Sequence, residues 1–388
     1  MITSTHLSEQ FDAHGFLRDH WQRKPLLLRN AMPRQALLDP EALAGLACES
    51  EVESRLIIGN LENGWRLQHG PFSEADFNAL PDSDWTLLVQ DMDKWLPGFA
   101  TLLDHFRFLP DWRIDDAMVS YAVEGGSVGP HTDSYDVFLL QMRGRREWRV
   151  MHQAQPDPEL SDNGELRIMR DFHADETWLL EPGDILYLPA DIPHWGIARG
   201  ACMTCSIGFR APSQRELLGA ATTWMEEHLQ GAERYLDPPL ANNPHPAELE
   251  PRAFARFKML LDAATRLSET ELHAMFAHLV TEPKPGYEIE ATTPALDSAT
   301  FHTALREHGM LYRHPAARLT YYHDPSDNYK LWVGGEAFPA DHEQYDFLGV
   351  LAAHASLHFG YLEPWLEAQG NRELLTTLYN RGIYAFQA

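Results

Sequence analysis

Three side chains in this sequence have the type and spacing to hold a divalent metal. His131 and Asp133 flank a threonine in Gly129-Pro-His131-Thr-Asp133. In a strand, residues i and i+2 point to one face, so an imidazole and a carboxylate can converge there. His194 lies 61 residues beyond Asp133, in Glu181-Pro-Gly-Asp-Ile-Leu-Tyr-Leu-Pro189-Ala-Asp-Ile-Pro-His194. A Pro-Gly-Asp turn and an apolar run thus precede the third donor. Two imidazoles and one carboxylate on one face of an octahedron leave neighbouring positions open. A structural zinc site would be closed, with four ligands and usually thiolates.

Open positions of that kind suit a non-haem Fe(II) oxygenase, in which a co-substrate and O2 take adjacent vacant sites. A second feature supports a co-substrate. Val137–Met142 and Glu147–Met151 read as a hairpin turning at Arg143-Gly144-Arg145. On its second strand Arg146, Trp148 and Val150 share one face, and the apolar pair marks that face as interior. A guanidinium there needs an anion, because burying a lone charge is costly. Its fork matches a carboxylate with two parallel hydrogen bonds. The bland alternative is an ion pair with a protein carboxylate. Beside a metal triad, a diacid co-substrate is the better reading. 2-Oxoglutarate fits, chelating the metal at one end and meeting Arg146 at the other. Ser120 and Thr204 fall on neighbouring predicted strands. Each either adds a hydrogen bond to that diacid or is a satisfied core hydroxyl.

Other motifs carry less. Cys202-x-x-Cys205 has no second pair, and its cysteines face apart on a strand. Gly125-Gly126-Ser127-Val128-Gly129 lacks the lysine and helix of a phosphate loop, so a tight loop beside the ligands is expected. No Gly-x-Ser-x-Gly elbow supports serine hydrolysis. His69, His105, His152, His173 and His314 have no partner at ligand spacing and are expected at the surface.

The elements that must position these residues can be read from the hydrophobic pattern. Residues 7–47 read as short helices around an extended Leu26-Leu27-Leu28. From about Asp84 to Arg210, short alternating runs separated by Gly, Pro and Asp predict strands over Ala117–Val123, Val137–Met142, Glu147–Met151, Thr177–Leu180, Ile185–Leu188 and Met203–Phe209. Many short strands so spaced argue for a sandwich or barrel. Ser213-Gln-Arg-Glu216 and Ser268-Glu-Thr-Glu271 are capping boxes that open helices, with a further helix over Pro251–Leu267. A Pro- and Asn-rich connector spans Asp237–Pro246. Beyond a Pro-rich break at Glu282–Gly286 come a helix near Ala299–His308, an apolar run Leu311–Tyr322 and a hairpin at Gly334-Gly335. Helices near Tyr345–His358 and Glu363–Asn380 close the chain.

The 388 residues carry 31 Lys/Arg against 57 Asp/Glu, a net charge of −26. Such a chain repels phosphate at long range, which argues against general nucleic-acid or anionic-membrane binding, and it attracts basic partners. The helix-and-hairpin module at the end resembles a winged helix. Thr292–Ala388 holds six Lys/Arg against eleven Asp/Glu, the wrong balance for reading DNA. Three cysteines are too few for a disulfide framework. No signal peptide and no run of about 20 apolar residues stands out, so a cytoplasmic location is expected.

With these residues assembled, the chain resembles the bacterial ribosomal oxygenases, a JmjC branch of the cupin-type 2-oxoglutarate oxygenases. The resemblance rests on Gly129–Phe138, Gly144–Val150, Glu181–Pro189, Pro193-His194, Ser206–Pro212 and the opening Trp21–Pro25. It implies an α+β fold with a double-stranded β-helix (the cupin/JmjC jelly roll) at 1–212. A helical dimerisation domain at 213–288 and a winged-helix-like domain at 289–388 would follow. It implies that His131, Asp133 and His194 hold Fe(II), and that Arg146 binds the 2-oxoglutarate 5-carboxylate, helped by Ser120 and Thr204. The implied reaction consumes O2 and hydroxylates the β-carbon of an arginine in a large-subunit ribosomal protein, the sixteenth. Tyr135 and Asp136, next to the ligands, are candidates to seat that guanidinium. Two other readings are a small-molecule oxygenase and a cupin-like binding module without catalysis. The helices from Ser213 to about Leu279 exceed what a barrel needs, which suggests a homodimer.

Overall fold

The computed structural model describes residues 7, 11–34, 37–161, 165–229, 231, 233–237, 247, 249–323 and 329–386. Two units divide the chain, Met1–Ala211 and Pro212–Ala388. The first is built on nine strands: β1 (Leu26–Leu28), β2 (Ser54–Asn60), β3 (Gly64–His69), β4 (Trp85–Val89), β5 (Ile114–Ala122), β6 (Asp136–Val150), β7 (Glu176–Leu180), β8 (Ile185–Leu188) and β9 (His194–Phe209). Their order is β1-β8-β6-β9-β5-β4-β2-β3, with β7 paired to β6 off this path.

The long pair β6 and β9 makes the jelly roll. The first half of β6 lies between β8 and the second half of β9, and the second half of β6 lies between β7 and the first half of β9. The hairpin expected at Arg143-Gly144-Arg145 is therefore a single strand, and β9 likewise extends nine residues before the expected Met203. Gly144 takes φ +63°, where a Cβ would lie 2.1 Å from the Ala201 carbonyl oxygen. It sits at the register shifts between Gln141 and Arg145, so it bends the strand instead of ending it. The alternation of β6 beyond the bend is as expected, with Arg146, Trp148 and Val150 buried and Glu147 and Arg149 partly exposed. Behind the sheet, Phe16, Phe106, Phe138, Phe209 and Tyr187 pack ring against ring. Burying each such ring is worth about 1.5–3 kcal/mol.

The second unit begins with helices Gln214–His228, Pro251–Ala264 and Glu269–Thr281. Ser213 with Glu216 and Ser268 with Glu271 form both capping boxes. Trp224, Met275 and Ala277 cluster with Trp332 of the strand Tyr329–Val333, so this helical block packs within the second unit. After helix Ser298–His308, the expected single apolar run is two strands, Met310–Arg313 and Leu319–His323. The hairpin forms with Val333 opposite Glu336 across Gly334-Gly335. The helix expected to His358 ends at Ala353, because Ser356–His358 pairs as a strand with Met310–Tyr312. The expected connector lies, beyond Asp237, outside the described residues. Among the described residues no helix is long and apolar enough to cross a membrane.

Candidate active site

His131 and His194 form an isolated antiparallel bridge, each donating its backbone N–H to the other's carbonyl at 3.0 and 2.9 Å. Directly opposed residues share a face of the sheet. Their rings accordingly stand 4.3 Å apart at the centroids. Asp133 reaches the same point, its carboxylate 4.0 Å from His131 Nε2 and 3.6 Å from His194 Nε2. One donor atom from each of the three residues lies within 4.8 Å of the others. Neither His–Asp separation is a hydrogen bond, so the donors are not consumed by one another.

Both imidazoles are oriented from behind. His131 Nδ1 lies 2.9 Å from the Gly129 carbonyl and His194 Nδ1 lies 2.9 Å from the Ile192 carbonyl. A proton on each Nδ1 leaves the Nε2 lone pairs aimed at Asp133. Burial, with the neighbouring His131, pushes the pKa of His194 down to about 4, so its ring is neutral at pH 7. The glycine-rich loop is the expected tight turn beside the ligands. Ser127 Oγ accepts the Gly129 N–H at 3.0 Å and the Trp195 indole N–H at 2.8 Å. One buried hydroxyl thus ties the loop before His131 to the residue after His194. Ser127→Ala removes both of these bonds one step behind the ligands and is expected to weaken metal affinity by less than about tenfold, below the cost of losing a direct partner of a ligand. Titration with Mn(II) measures it.

Arg146 is 3% exposed. Among the described residues no carboxylate pairs with it. Its Nη1 donates to Ser120 Oγ at 3.1 Å, its guanidinium carbon lies 5.2 Å from the Trp148 ring, and its Nε has no partner. Burial lowers its pKa, the mark of a charge without an anion. Ser120 and Thr204 are opposed in the β5–β9 register. The Thr204 hydroxyl donates to Gln141 Oε1 at 3.1 Å, so it ties β9 to β6 beside Ser120.

Tyr135 is 43% exposed and stands beside the site. The negative charge of Asp133 raises its pKa, with burial, Asp116 and Asp115 adding to it. Asp136 does not face the opening, which corrects its expected role. It is fully buried, pairs with Arg113 at 3.0 Å and accepts from Tyr187 at 2.6 Å and Gln22 at 3.3 Å. Those partners use its lone pairs to fasten the Trp21–Pro25 segment to the barrel. Sequence reasoning missed Ser127 as the orienting hydroxyl and Asp116 as the carboxylate near Tyr135. The pattern Asp116, Met118, Ser120 on one strand was the available signal for Asp116. Cys202 and Cys205 are both buried and free, and burial raises their thiol pKa values. His69 and His152 stand exposed beside Glu165 and Glu176 as surface pairs, whereas His105 and His314 are half-buried.

Comparison with known proteins places the chain among relatives. The JmjC domain family matches residues 101–217, and the ROXA-like winged helix matches residues 260–385. The chain is 34% identical over 378 residues to the ribosomal protein uL16 3-hydroxylase of Escherichia coli K12, covering 96% of this chain and 97% of that protein. It is 41% identical over 216 residues to a probable ribosomal oxygenase of Haemophilus influenzae, covering 55% of this chain and 53% of that one. The X-ray structure of E. coli YcfD superposes with a TM-score of 0.83 at 33% identity, over 97% of this chain and 99% of that one. The E. coli YcfD structure in complex with cobalt and 2-oxoglutarate superposes at 0.80 with 32% identity, over 98% and 99%. Matched along nearly its whole length at 34% identity, this chain belongs to the JmjC ribosomal oxygenases with a ROXA-like winged helix.

Proposed function

We propose that this protein is an Fe(II)- and 2-oxoglutarate-dependent oxygenase that hydroxylates the β-carbon of an arginine in ribosomal protein uL16. The observation that carries it is a three-donor metal cluster in the same barrel as a buried guanidinium with an orphaned N–H. The residues fit both groups: the Nε2 atoms and the Asp133 carboxylate are free to ligate, and Arg146 lacks an anion. When bound, iron couples the oxidation of 2-oxoglutarate to succinate and CO2 by O2 with hydroxylation of a C–H bond.

The chain's own residues do the rest. His131, Asp133 and His194 hold the metal and leave neighbouring positions for co-substrate and O2. Arg146 takes the far carboxylate, with the Ser120 hydroxyl steadying one arm of the guanidinium. Thr204 ties Gln141 of β6 to β9 beside Ser120. Tyr135, in the field of Asp116 and Asp115, provides a face and a negative potential that suit a substrate guanidinium. The net charge of −26 steers a basic ribosomal protein toward the enzyme. A ribosomal substrate supports a cytoplasmic location, and the acidic balance supports neither DNA nor membrane as a partner.

The test incubates the protein with Fe(II), 2-oxoglutarate, O2 and 50S proteins, and reads added oxygen by mass spectrometry. One oxygen gained on a uL16 arginine is the expected result. Turnover of 2-oxoglutarate without that product would point to a small-molecule substrate, and no turnover to a binding module.

The helical block supports a homodimer. Helix Pro251–Ala264 buries none of its residues, and Phe254, Phe257, Met259 and Leu261 are each about half exposed. Apolar faces of this kind are covered by a partner, and a second copy is the economical one. Phe257→Asp is expected to shift the sedimentation of the protein from dimer to monomer. A wild type that already sediments as a monomer would contradict this.

A further inference from the structure

Between the His194 imidazole and the Arg146 guanidinium, the inner wall carries one large ring opposite one absent side chain. β6 and β9 pair with Val150 opposite His194, Trp148 opposite Gly196 and Arg146 opposite Ala198. The Trp148 ring therefore stands between the two halves of the site, 5.8 Å from the His194 ring and 5.2 Å from the Arg146 guanidinium carbon. It is 5% exposed and packed with Val137, Leu139, Val150 and Leu180. Gly196 has no positive φ to explain it. Its reason is space. A Cβ at Gly196 would lie 2.7 Å from both Cη2 and Cζ3 of Trp148 and 2.9 Å from Arg146 Nε. Glycine weakens a strand interior, and its presence there marks a close approach.

We infer that Gly196 and Trp148 act as a matched positioning pair: the glycine admits the indole, and the indole sets the spacing between the metal ligand His194 and the anion anchor Arg146. That spacing selects the dicarboxylate co-substrate by length. The inference rests on the functional reading above and deepens it. The same ring lies against a ligand, the guanidinium and the site of the missing side chain, and so couples the two halves directly.

The test titrates 2-oxoglutarate into Mn(II)-loaded protein by calorimetry, with Mn(II) affinity measured separately. Gly196→Ala is expected to weaken 2-oxoglutarate about tenfold while Mn(II) affinity stays within about threefold, because the methyl displaces the ring and Arg146 Nε together. Trp148→Phe keeps Gly196, creates no clash and is expected to weaken 2-oxoglutarate about threefold. It also moves the preference toward the longer 2-oxoadipate. Combining the two substitutions is expected to recover part of the Gly196→Ala loss, since phenylalanine lacks the two ring carbons the methyl meets. Such rescue would not follow from a general loss of stability. Three results would overturn the pairing: unchanged 2-oxoglutarate affinity in Gly196→Ala, a parallel loss of Mn(II), or a double variant no better than the single. Wild-type protein that bound Mn(II) and not 2-oxoglutarate would overturn the functional reading as well. A wild type that bound both, with variants to match, overturns the pairing alone.

Discussion

Arg146→Met is expected to remove 2-oxoglutarate binding and, at the same time, to make the metal-free protein more stable. The two effects share one cause. Arg146 is buried with a hydroxyl and a ring as its neighbours and one N–H without a partner. Removing one member of a buried, hydrogen-bonded charge pair costs about 2–5 kcal/mol, so the KM for 2-oxoglutarate is expected to rise by roughly 30- to 4,000-fold. Without co-substrate the same charge is uncompensated, and replacing buried charges with apolar groups often stabilises by about 1–4 kcal/mol. In a unit of this size the melting temperature would rise by roughly 2–4 °C for each kcal/mol. Thermal melts in chelator, beside a 2-oxoglutarate titration, read both. Arg146→Lys is not a conservative control, because an ammonium cannot reproduce the fork. A lower melting temperature with unchanged KM would mean that Arg146 serves the fold.

His131→Ala carries the second large effect. Outer partners of metal ligands usually cost 10–100-fold in affinity or activity, so losing a ligand is expected to cost more than about a hundredfold in both. The fold should survive, since the bridge to His194 is made by backbone groups that alanine keeps. The His131 side chain is itself partly exposed at the opening. Mn(II) titration together with succinate release checks the loss, and an unchanged melt of the metal-free protein checks that it is local. Activity at the wild-type level would remove His131 from the metal centre.

The parts of the site legible in the sequence were those with a local signature. His131 and Asp133 are two residues apart, and the alternation of Arg146, Trp148 and Val150 marks an inner face within five residues. The helices opened by Ser213 and Ser268 were equally legible, because a capping box is complete within four residues. What escaped depended on partners far along the chain. In the sequence Asp136 reads as a site residue because of its neighbours. Its environment is set by Arg113 and Tyr187, and by Gln22 at a separation of 114 residues. In the sequence Gly144 reads as a turn because glycine serves a hairpin and a bulge alike, and only the pairing of β6 with β9 distinguishes them. Trp148 read as core packing, and its second role emerges only when Gly196 is placed opposite.

Running the reaction under ¹⁸O2 with a uL16 arginine peptide, and locating the label by tandem mass spectrometry, follows both atoms of the oxidant. A 2-oxoglutarate oxygenase places one labelled oxygen on the arginine β-carbon and one in succinate, and both are absent with His131→Ala. Hydroxylated peptide whose oxygen came from water, or labelled succinate with the peptide untouched, would contradict it.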